Sequence, residues 1–397
     1  MIMIKKQSQY EDFFNKTIRN LGIGSLIVSA PNSKTIEYRG SNSGPCADMI
    51  IKDWDMIKQV IKQGEMGFLK AYQTGILETT NLANLIMIAI LNETHLRALL
   101  NFRGLRKYIY LLYNFFRRNT VRGSRKNIKE HYDLSNDFFS LWLDPSMCYS
   151  SGLFSDESVT TLDQAQNQKM ARVLDQLNLP QGSHILEIGS GWGAFLLEAA
   201  KRDYRVTGIT ISDEQFAHTK KNIEESSFEP NVNVQLLDYR NIKGQFDGIV
   251  SIEMFEAVGE QYWHQYFTSI SNALKPKGRA VIQTITIDDD HFETYRKTPD
   301  FIQLYIFPGG MLPSKKRFIE EAKQAGLRVV DDFRFGQDYA RTLQKWLNRF
   351  DDAKEEVLRL GFDEAFIKLW RFYLSYCIAG FTTKRTDVHQ FTLEKSD

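Results

Sequence analysis

The stretch with the most specific chemistry is Glu187-Ile-Gly-Ser-Gly-Trp-Gly193. Gly189 and Gly191 permit positive φ and let a ligand approach the backbone, and the helix that follows offers unpaired N–H groups. Two nucleotide-type cofactors use such a loop. A dinucleotide site wants GxGxxG or GxGxxA, which Gly189, Gly191 and Ala194 satisfy, and an acid ending the next strand to hold the ribose. Here that strand ends in Thr210, with Asp213 beyond it in the following turn. S-adenosylmethionine fits better. It has no pyrophosphate, and its cationic methionine part would feel Glu187 in the strand before the glycines. A tight strand-to-helix turn that holds nothing is the third reading.

Other reactive residue types add little. Cys46, Cys148 and Cys377 are scattered, without CxxC spacing, and the seven His residues form no HxxxH pair, so neither a disulfide framework nor a metal site is indicated. The segment Arg103–Lys129 holds nine Lys or Arg and no acid around YIYLLYNFF. Such a segment suits an anionic lipid surface, where each cation gives ~1 kcal/mol. A basic interdomain helix packed on its apolar face is the plainer alternative. Nucleic acid is the weakest, since no binding motif accompanies the charge.

The elements that must position the loop are legible from Leu162 onward. A helix is expected over Leu162–Leu177, then strands HILEIG, RVTGIT, NVQLLD, FDGIVSIE and GRAVIQTITI, with helices GAFLLEAAKR and EQFAHTKKNIEES between the early ones and a turn at Lys275–Gly278. This alternation implies an α/β, doubly wound, mostly parallel sheet whose ligands bind beyond the carboxyl ends of its strands. Residues 1–120 read differently. Short β-like runs at Gly24–Ala30, Lys34–Arg39 and Ala47–Lys52 precede helical patterns from Trp54, a small α+β unit without a catalytic constellation.

Composition bounds the class. The 397 residues exceed one ordinary core, and 43% hydrophobic with 25% charged residues is ordinary for a globular protein. Fifty basic against forty-nine acidic residues exclude a globally basic nucleic-acid binder. The opening MIMIKKQSQYEDFF meets charge too early for a secretory signal, and the greasiest runs, Leu85–Leu91 and Tyr108–Phe116, fall short of the roughly 20 residues of a spanning helix. A cytoplasmic protein is expected, free to touch a membrane.

Eight further segments, in order, resemble the cyclopropane-fatty-acyl-phospholipid synthases: EHYDLSNDFF (130–139), MCYSSGLF (147–154), GSGWGAF (189–195), TGITISDEQ (207–215), LLDYR (236–240), MFEAVG (254–259), YIFPGGMLPS (305–314) and FGQDYARTLQKW (335–346). The resemblance implies a seven-stranded S-adenosylmethionine-dependent methyltransferase fold over 161–397, a smaller lipid-binding α+β domain over 1–120, and a linker and active-site lid over 121–160. It implies methyl transfer to the cis double bond of a phospholipid acyl chain, giving a cyclopropane. It further implies a homodimer peripherally associated with the inner face of the cell membrane, docked on anionic headgroups, and no nucleic-acid partner. A bicarbonate ion would be the base, cradled by Glu256 and Tyr339, by Gln283, and by main-chain groups of Ser151 and Ile285. Cofactor contacts would come from Tyr149, Ser150, Gly189, Gly191, Thr210, Gln215 and Tyr239, with Asp238 beside them.

Four positions depart from that family. Ser151 replaces Cys, Gln283 replaces an ion-binding His, Glu253 replaces a small residue and Ala257 replaces a His. A glutamine amide donates a hydrogen bond but takes up no proton. The four changes resemble a sister branch, the methyl-branching fatty-acid methyltransferases, where a hydride shift precedes proton loss and gives a methylene branch. A lipid carrier that has lost catalysis is the rival from outside enzymology. His131 and the aromatics Trp142, Trp192, Tyr305 and Phe307 read first as structural, and second as lining for the cofactor or acyl chain.

Overall fold

The computed structural model describes residues 2–96 and 134–396, with the backbone alone for 2–8. The basic segment Arg103–Lys129 and His131 lie outside the described residues. The chain forms two compact units, and the first takes Asp351–Thr383 in addition to residues up to 110.

In the first unit, β1 (Ile23–Ser29), β2 (Thr35–Arg39), β3 (Asn42–Ile51) and β4 (Leu77–Glu78) form a sheet of order β2-β1-β3-β4. β1 alternates, with Leu26 and Val28 buried and Ile27 turned outward, as a sheet with one covered face requires. The helix Leu82–Leu91 packs on β1 and β3, the helix Glu364–Thr382 packs on it and on the helix Glu65–Gln73, and the helix Asp55–Gln63 packs on Glu65–Gln73. Lys368, on the helix Glu364–Thr382, donates from Nζ to the carbonyls of Tyr72 (3.2 Å) and Gln73 (3.1 Å), a cation at the carboxyl end of the helix Glu65–Gln73. Residues 351–383 therefore depart from the expected 161–397 domain. An apolar helical stripe such as Ile367, Trp370, Leu374 and Ile378 shows that a helix is buried, not which core buries it.

The second unit is the expected doubly wound sheet: β5 (His184–Ile188), β6 (Arg205–Thr210), β7 (Val232–Leu236), β8 (Phe246–Ile252), β9 (Leu274–Ile287), β10 (Leu327–Arg334) and β11 (Thr386–Lys395), in the order β10-β11-β9-β8-β5-β6-β7. All neighbours pair in parallel except β11, which is antiparallel to both β9 and β10. The seven strands match the expected number, but the positions of β10 and β11 are not marked in the sequence, because their polar-rich stretches lack the continuous apolar run of a central strand. The turn expected at Lys275–Gly278 is a bulge inside β9: Phe246 pairs with Leu274, yet Gly248 pairs with Arg279.

Both faces of this sheet are buried. Leu186, Ile249 and Ile282 pack on one side with the helices Trp263–Ala273 and Lys315–Gln324, while Ile185, Val250 and Val281 pack on the other with the helices Leu162–Leu177 and Ala194–Ala200. That is why these strands read as unbroken apolar runs. The helix Leu162–Leu177 starts at a capping box in which Thr161 Oγ1 accepts from Gln164 N and Gln164 Oε1 accepts from Thr161 N. Residues 134–160, expected as linker and lid, carry Phe138, Phe139 and Trp142 into the interior of this same unit. After β5 the chain runs outward to β6 and β7, then returns to β8 on the other side of β5. The loops after β5 and β8 part there and leave a crevice at the carboxyl edge.

Candidate active site

The glycine loop leaves β5 at this switch point. Gly189 (φ +86°) and Gly191 (φ +52°) both adopt the left-handed conformation, and a Cβ on Gly191 would meet open space. Glu187, at the end of β5, is buried, and among the described residues its Oε2 has no hydrogen-bond partner; neither has Ser190 Oγ. Burial pushes the Glu187 carboxyl up to about 8, with Lys169 opposing. Lone acceptors beside an open backbone fit a cationic nucleoside such as S-adenosylmethionine. Thr210 and Gln215 follow β6, joined by a 2.9 Å bond from Thr210 Oγ1 to Gln215 Oε1. Asp238 and Tyr239 follow β7; both Asp238 oxygens accept from the Arg240 guanidinium, and the Tyr239 ring meets Tyr266 edge-on. Three adjacent parallel strands thus bring together most of the expected cofactor residues.

Tyr149 and Ser150 come from the segment before the helix Leu162–Leu177. The Tyr149 ring packs against Phe139, Trp142 and Trp346 and lies 6.4 Å from Phe307, in an aromatic wall. Trp142 is fully buried, and Trp192 packs on Phe139 and donates to Asn136 Oδ1 at 2.7 Å, so both serve the core. Tyr305 is 56% exposed.

The expected bicarbonate cradle is arranged differently. Its members do not share a vacant centre. Glu253, directly after β8, accepts from Ser151 N (2.9 Å) and Gln283 Nε2 (2.7 Å) on Oε1, and from Tyr339 OH (2.6 Å) on Oε2. Three groups expected to hold an anion therefore hold a carboxylate of the chain itself, and the residues present do not fit a bicarbonate ion at that position. Glu256 and Ile285 form a separate pair, Ile285 N donating to Glu256 Oε1 at 2.6 Å. Gln390 Nε2 on β11 donates to Gln283 Oε1 (3.0 Å), which turns the Gln283 amide so that its NH2 faces Glu253.

Burial raises both carboxyls. Glu256 is pushed up to about 8, first by desolvation and then by the charge of Glu253. Glu253 is also raised by burial, but Tyr339, Ser151, Lys169 and Gln283 all favour its ionised form. Of the two, Glu253 takes the negative charge more readily, since three donors face it and one faces Glu256, and like charges in one site do not both persist. Glu253 also sits at φ +50°, a left-handed conformation uncommon for such a residue, of a kind that clusters at functional sites.

Sequence reasoning recorded Glu253 as a substitution and did not make it the centre. It missed Lys169 altogether. A signal was present: Gln166 and Lys169 interrupt the apolar stripe Leu162, Ala165, Met170, Val173 and Leu174, and both are buried. Among the described residues no cluster of His, Cys, Asp or Glu is arranged to hold a metal, and no helix is long and apolar enough to cross a membrane.

The family model described as mycolic acid cyclopropane synthetase matches residues 119–391. The tuberculostearic acid methyltransferase of Mycobacterium tuberculosis is 42% identical over 277 residues, 68% of this chain and 65% of that protein, so just under two thirds of that relative is spanned. The cyclopropane-fatty-acyl-phospholipid synthase of Escherichia coli is 32% identical over 363 residues, 89% of each chain. Among solved structures, a cyclopropane synthase from Mycobacterium tuberculosis superposes with TM-score 0.64 at 33% identity, over 68% of this chain and 98% of that one. A mycolic acid cyclopropane synthase complexed with SAH and CTAB gives TM-score 0.64 at 32% identity, with the same coverage. With this sheet order, this glycine loop and a match over most of its length, the chain belongs to the mycolic acid cyclopropane synthetase family of S-adenosylmethionine-dependent methyltransferases.

Proposed function

We propose that this protein methylates the cis double bond of an unsaturated acyl chain in a membrane phospholipid and that Glu253 is the base that resolves the resulting cation, giving a methylene branch. The observation that carries this reading is the half-buried Glu253 carboxyl group with Ser151 N, Gln283 Nε2 and Tyr339 OH all turned onto it. When bound, S-adenosylmethionine supplies an electrophilic methyl group. An isolated alkene is a poor nucleophile, so the chain's own residues must orient it and exclude water; the partly exposed rings of Tyr149 and Phe307, 6.4 Å apart, suit that task. The double bond's electron pair forms the new C–C bond to the methyl carbon as that carbon's bond to sulfur breaks, the pair staying on sulfur, and a positive charge is left on the neighbouring acyl carbon. A carboxylate in a dry site stabilises that charge and then accepts a proton. A hydride shift to the charged carbon, followed by proton loss from the methyl group, gives the methylene branch. Proton loss from the methyl group without that shift closes a ring.

Ring closure is the second reading, favoured by the resemblance over 89% of the Escherichia coli cyclopropane-fatty-acyl-phospholipid synthase. The lipid substrate suggests a cytoplasmic protein docked on an anionic membrane surface through Arg103–Lys129, so vesicle flotation should weaken as salt rises. The deciding experiment incubates the pure protein with S-adenosylmethionine and vesicles of cis-monounsaturated phospholipid and analyses the released fatty acids. A one-carbon gain with vinylidene protons is expected. Upfield ring protons would move the protein to the second reading, and no gain despite cofactor binding would overturn both.

A further inference from the structure

One buried charge has no task in this account. Lys169, midway along the helix Leu162–Leu177, is fully buried, and its Nζ donates to Ser150 Oγ (2.6 Å) and Cys148 Sγ (3.2 Å). No ion pair joins it to a carboxylate among the described residues. Holding the segment before the helix does not require it. Gln166 Nε2 already donates to Ser150 O (2.9 Å), Leu153 N to Ala165 O (2.9 Å), Gly152 N to Thr342 Oγ1 (3.1 Å) and Phe154 N to Asp338 Oδ2 (3.0 Å). A methionine or leucine would fill the same space without the desolvation cost of an ammonium group.

What the lysine adds is charge, set one residue from a donor to Glu253: Nζ rests on Ser150 Oγ (2.6 Å) and the next amide, Ser151 N, donates to Glu253 Oε1 (2.9 Å). Its field favours the ionised forms of Glu187 and Glu253 alike. The groups facing Glu253 are Ser151 N, Gln283 on β9, Tyr339 on the helix Gly336–Asp352, Glu256 in the turn after β8, and Lys169. Ser151, Gln283 and Tyr339 are neutral donors and Glu256 is an acid, which leaves Lys169 as the one cation in that set.

We propose that Lys169 is a positioning residue for the reaction: its buried amine, seated on Ser150 Oγ (2.6 Å) next to the Ser151 amide that donates to Glu253 (2.9 Å), places a positive charge on the donor side of the base. This inference rests on the reading of Glu253 as the base. The test uses three variants of the whole protein. Lys169→Gln keeps a donor for Ser150 and removes the charge; Lys169→Met removes both; Lys169→Arg keeps the charge.

In a pH series of kcat/KM toward cis-monounsaturated phospholipid vesicles, the Gln and Met variants should lose ~10-fold or more on the acidic limb. They should recover toward the parent at alkaline pH, while the Arg variant follows the parent. Infrared spectra near neutral pH should show in Lys169→Gln, beyond the protonated carboxyl signal of the parent, an additional band that vanishes in Lys169→Gln/Glu253→Gln. A loss uniform across pH, a Lys169→Gln profile like the parent's, or no such band would overturn the proposal. A fully active Glu253→Gln would instead overturn the base assignment, and the infrared band would still report whether Lys169 sets the ionisation of Glu253.

Discussion

Replacing Glu253 with glycine separates a built-in base from a borrowed one. The fold should survive. Glycine at φ +50° relieves a left-handed strain of roughly 1–2 kcal/mol, and burying a carboxylate is itself costly. Three hydrogen bonds to an ionised acceptor are lost, each worth about 1.5–3 kcal/mol. Methyl transfer with product release should fall by about 10²–10⁴-fold, the usual worth of a general base, or roughly 3–5 kcal/mol of barrier.

The three donors would then face an empty anion-sized space, held as they were by Gln390, by the helix Gly336–Asp352 and by the backbone at Ser151. Three such bonds, set against an association cost of about 4 kcal/mol, leave about −0.5 to −5 kcal/mol for a small carboxylate. That range brackets millimolar affinity. The assay follows label from S-adenosylmethionine into vesicle lipid in buffer freed of carbon dioxide, with bicarbonate, formate or acetate titrated back. Saturable rescue is expected, bicarbonate included. Parental turnover without any added anion would refute the reasoning, as would a folded, cofactor-binding variant that no carboxylate rescues.

Two other outcomes follow from the same electrostatics. Glu256→Gln imitates the neutral form that Glu256 already holds below about 8, and its carbonyl can still accept from Ile285 N, so activity near neutral pH should stay within about 3-fold of the parent. Its acidic limb should coincide with the parent's, because Glu256 is already neutral in the range where the limb lies; a loss as deep as that of Glu253→Gly would reverse the two roles. Glu187 carries a folded-state value raised from 4.5 to about 8, so the folded protein binds more protons than the unfolded chain between those values. Its stabilising contribution is complete below about 4.5 and is lost as pH rises toward 8, by up to about 1.4 kcal/mol per pH unit. Thermal melts of the cofactor-free protein should therefore fall across that window, and Glu187→Gln should flatten the slope; an unchanged slope would show that Glu187 is not the group responsible.

Much of the sheet was legible because its central strands are buried on both faces and read as unbroken apolar runs. Leu162–Leu177 and Arg205–Thr210 have the bounds that their caps and periodicity indicate. The edge pair β10 and β11 was not legible, since Asp331, Asp332, Gln390 and Thr392 dilute the apolar signal. Nor was the return of residues 351–383 to the first unit, because an apolar stripe on a helix has no address. The glycine loop could be read in advance for a local reason: two left-handed turns in succession admit few residues other than glycine.

By itself the sequence determined the chemistry on offer: a cofactor loop at Glu187–Gly193, a set of polar residues spread over some 190 positions from Ser151 to Tyr339, and an alternation of strands and helices whose ligands bind beyond the carboxyl ends of the strands. Tertiary structure decided which carboxylate those polar residues serve. Glu253 and Glu256 lie three residues apart, and nothing in their spacing separates a base from an acid. Pairing Ile252 of β8 with Gln283 of β9 sets the Gln283 amide beside Glu253. Tyr339, the Ser151 amide and the buried Lys169 arrive from three other elements to favour the same charge. Long-range convergence of donors in a dry interior, rather than residue type, gives two neighbouring glutamates opposite protonation states.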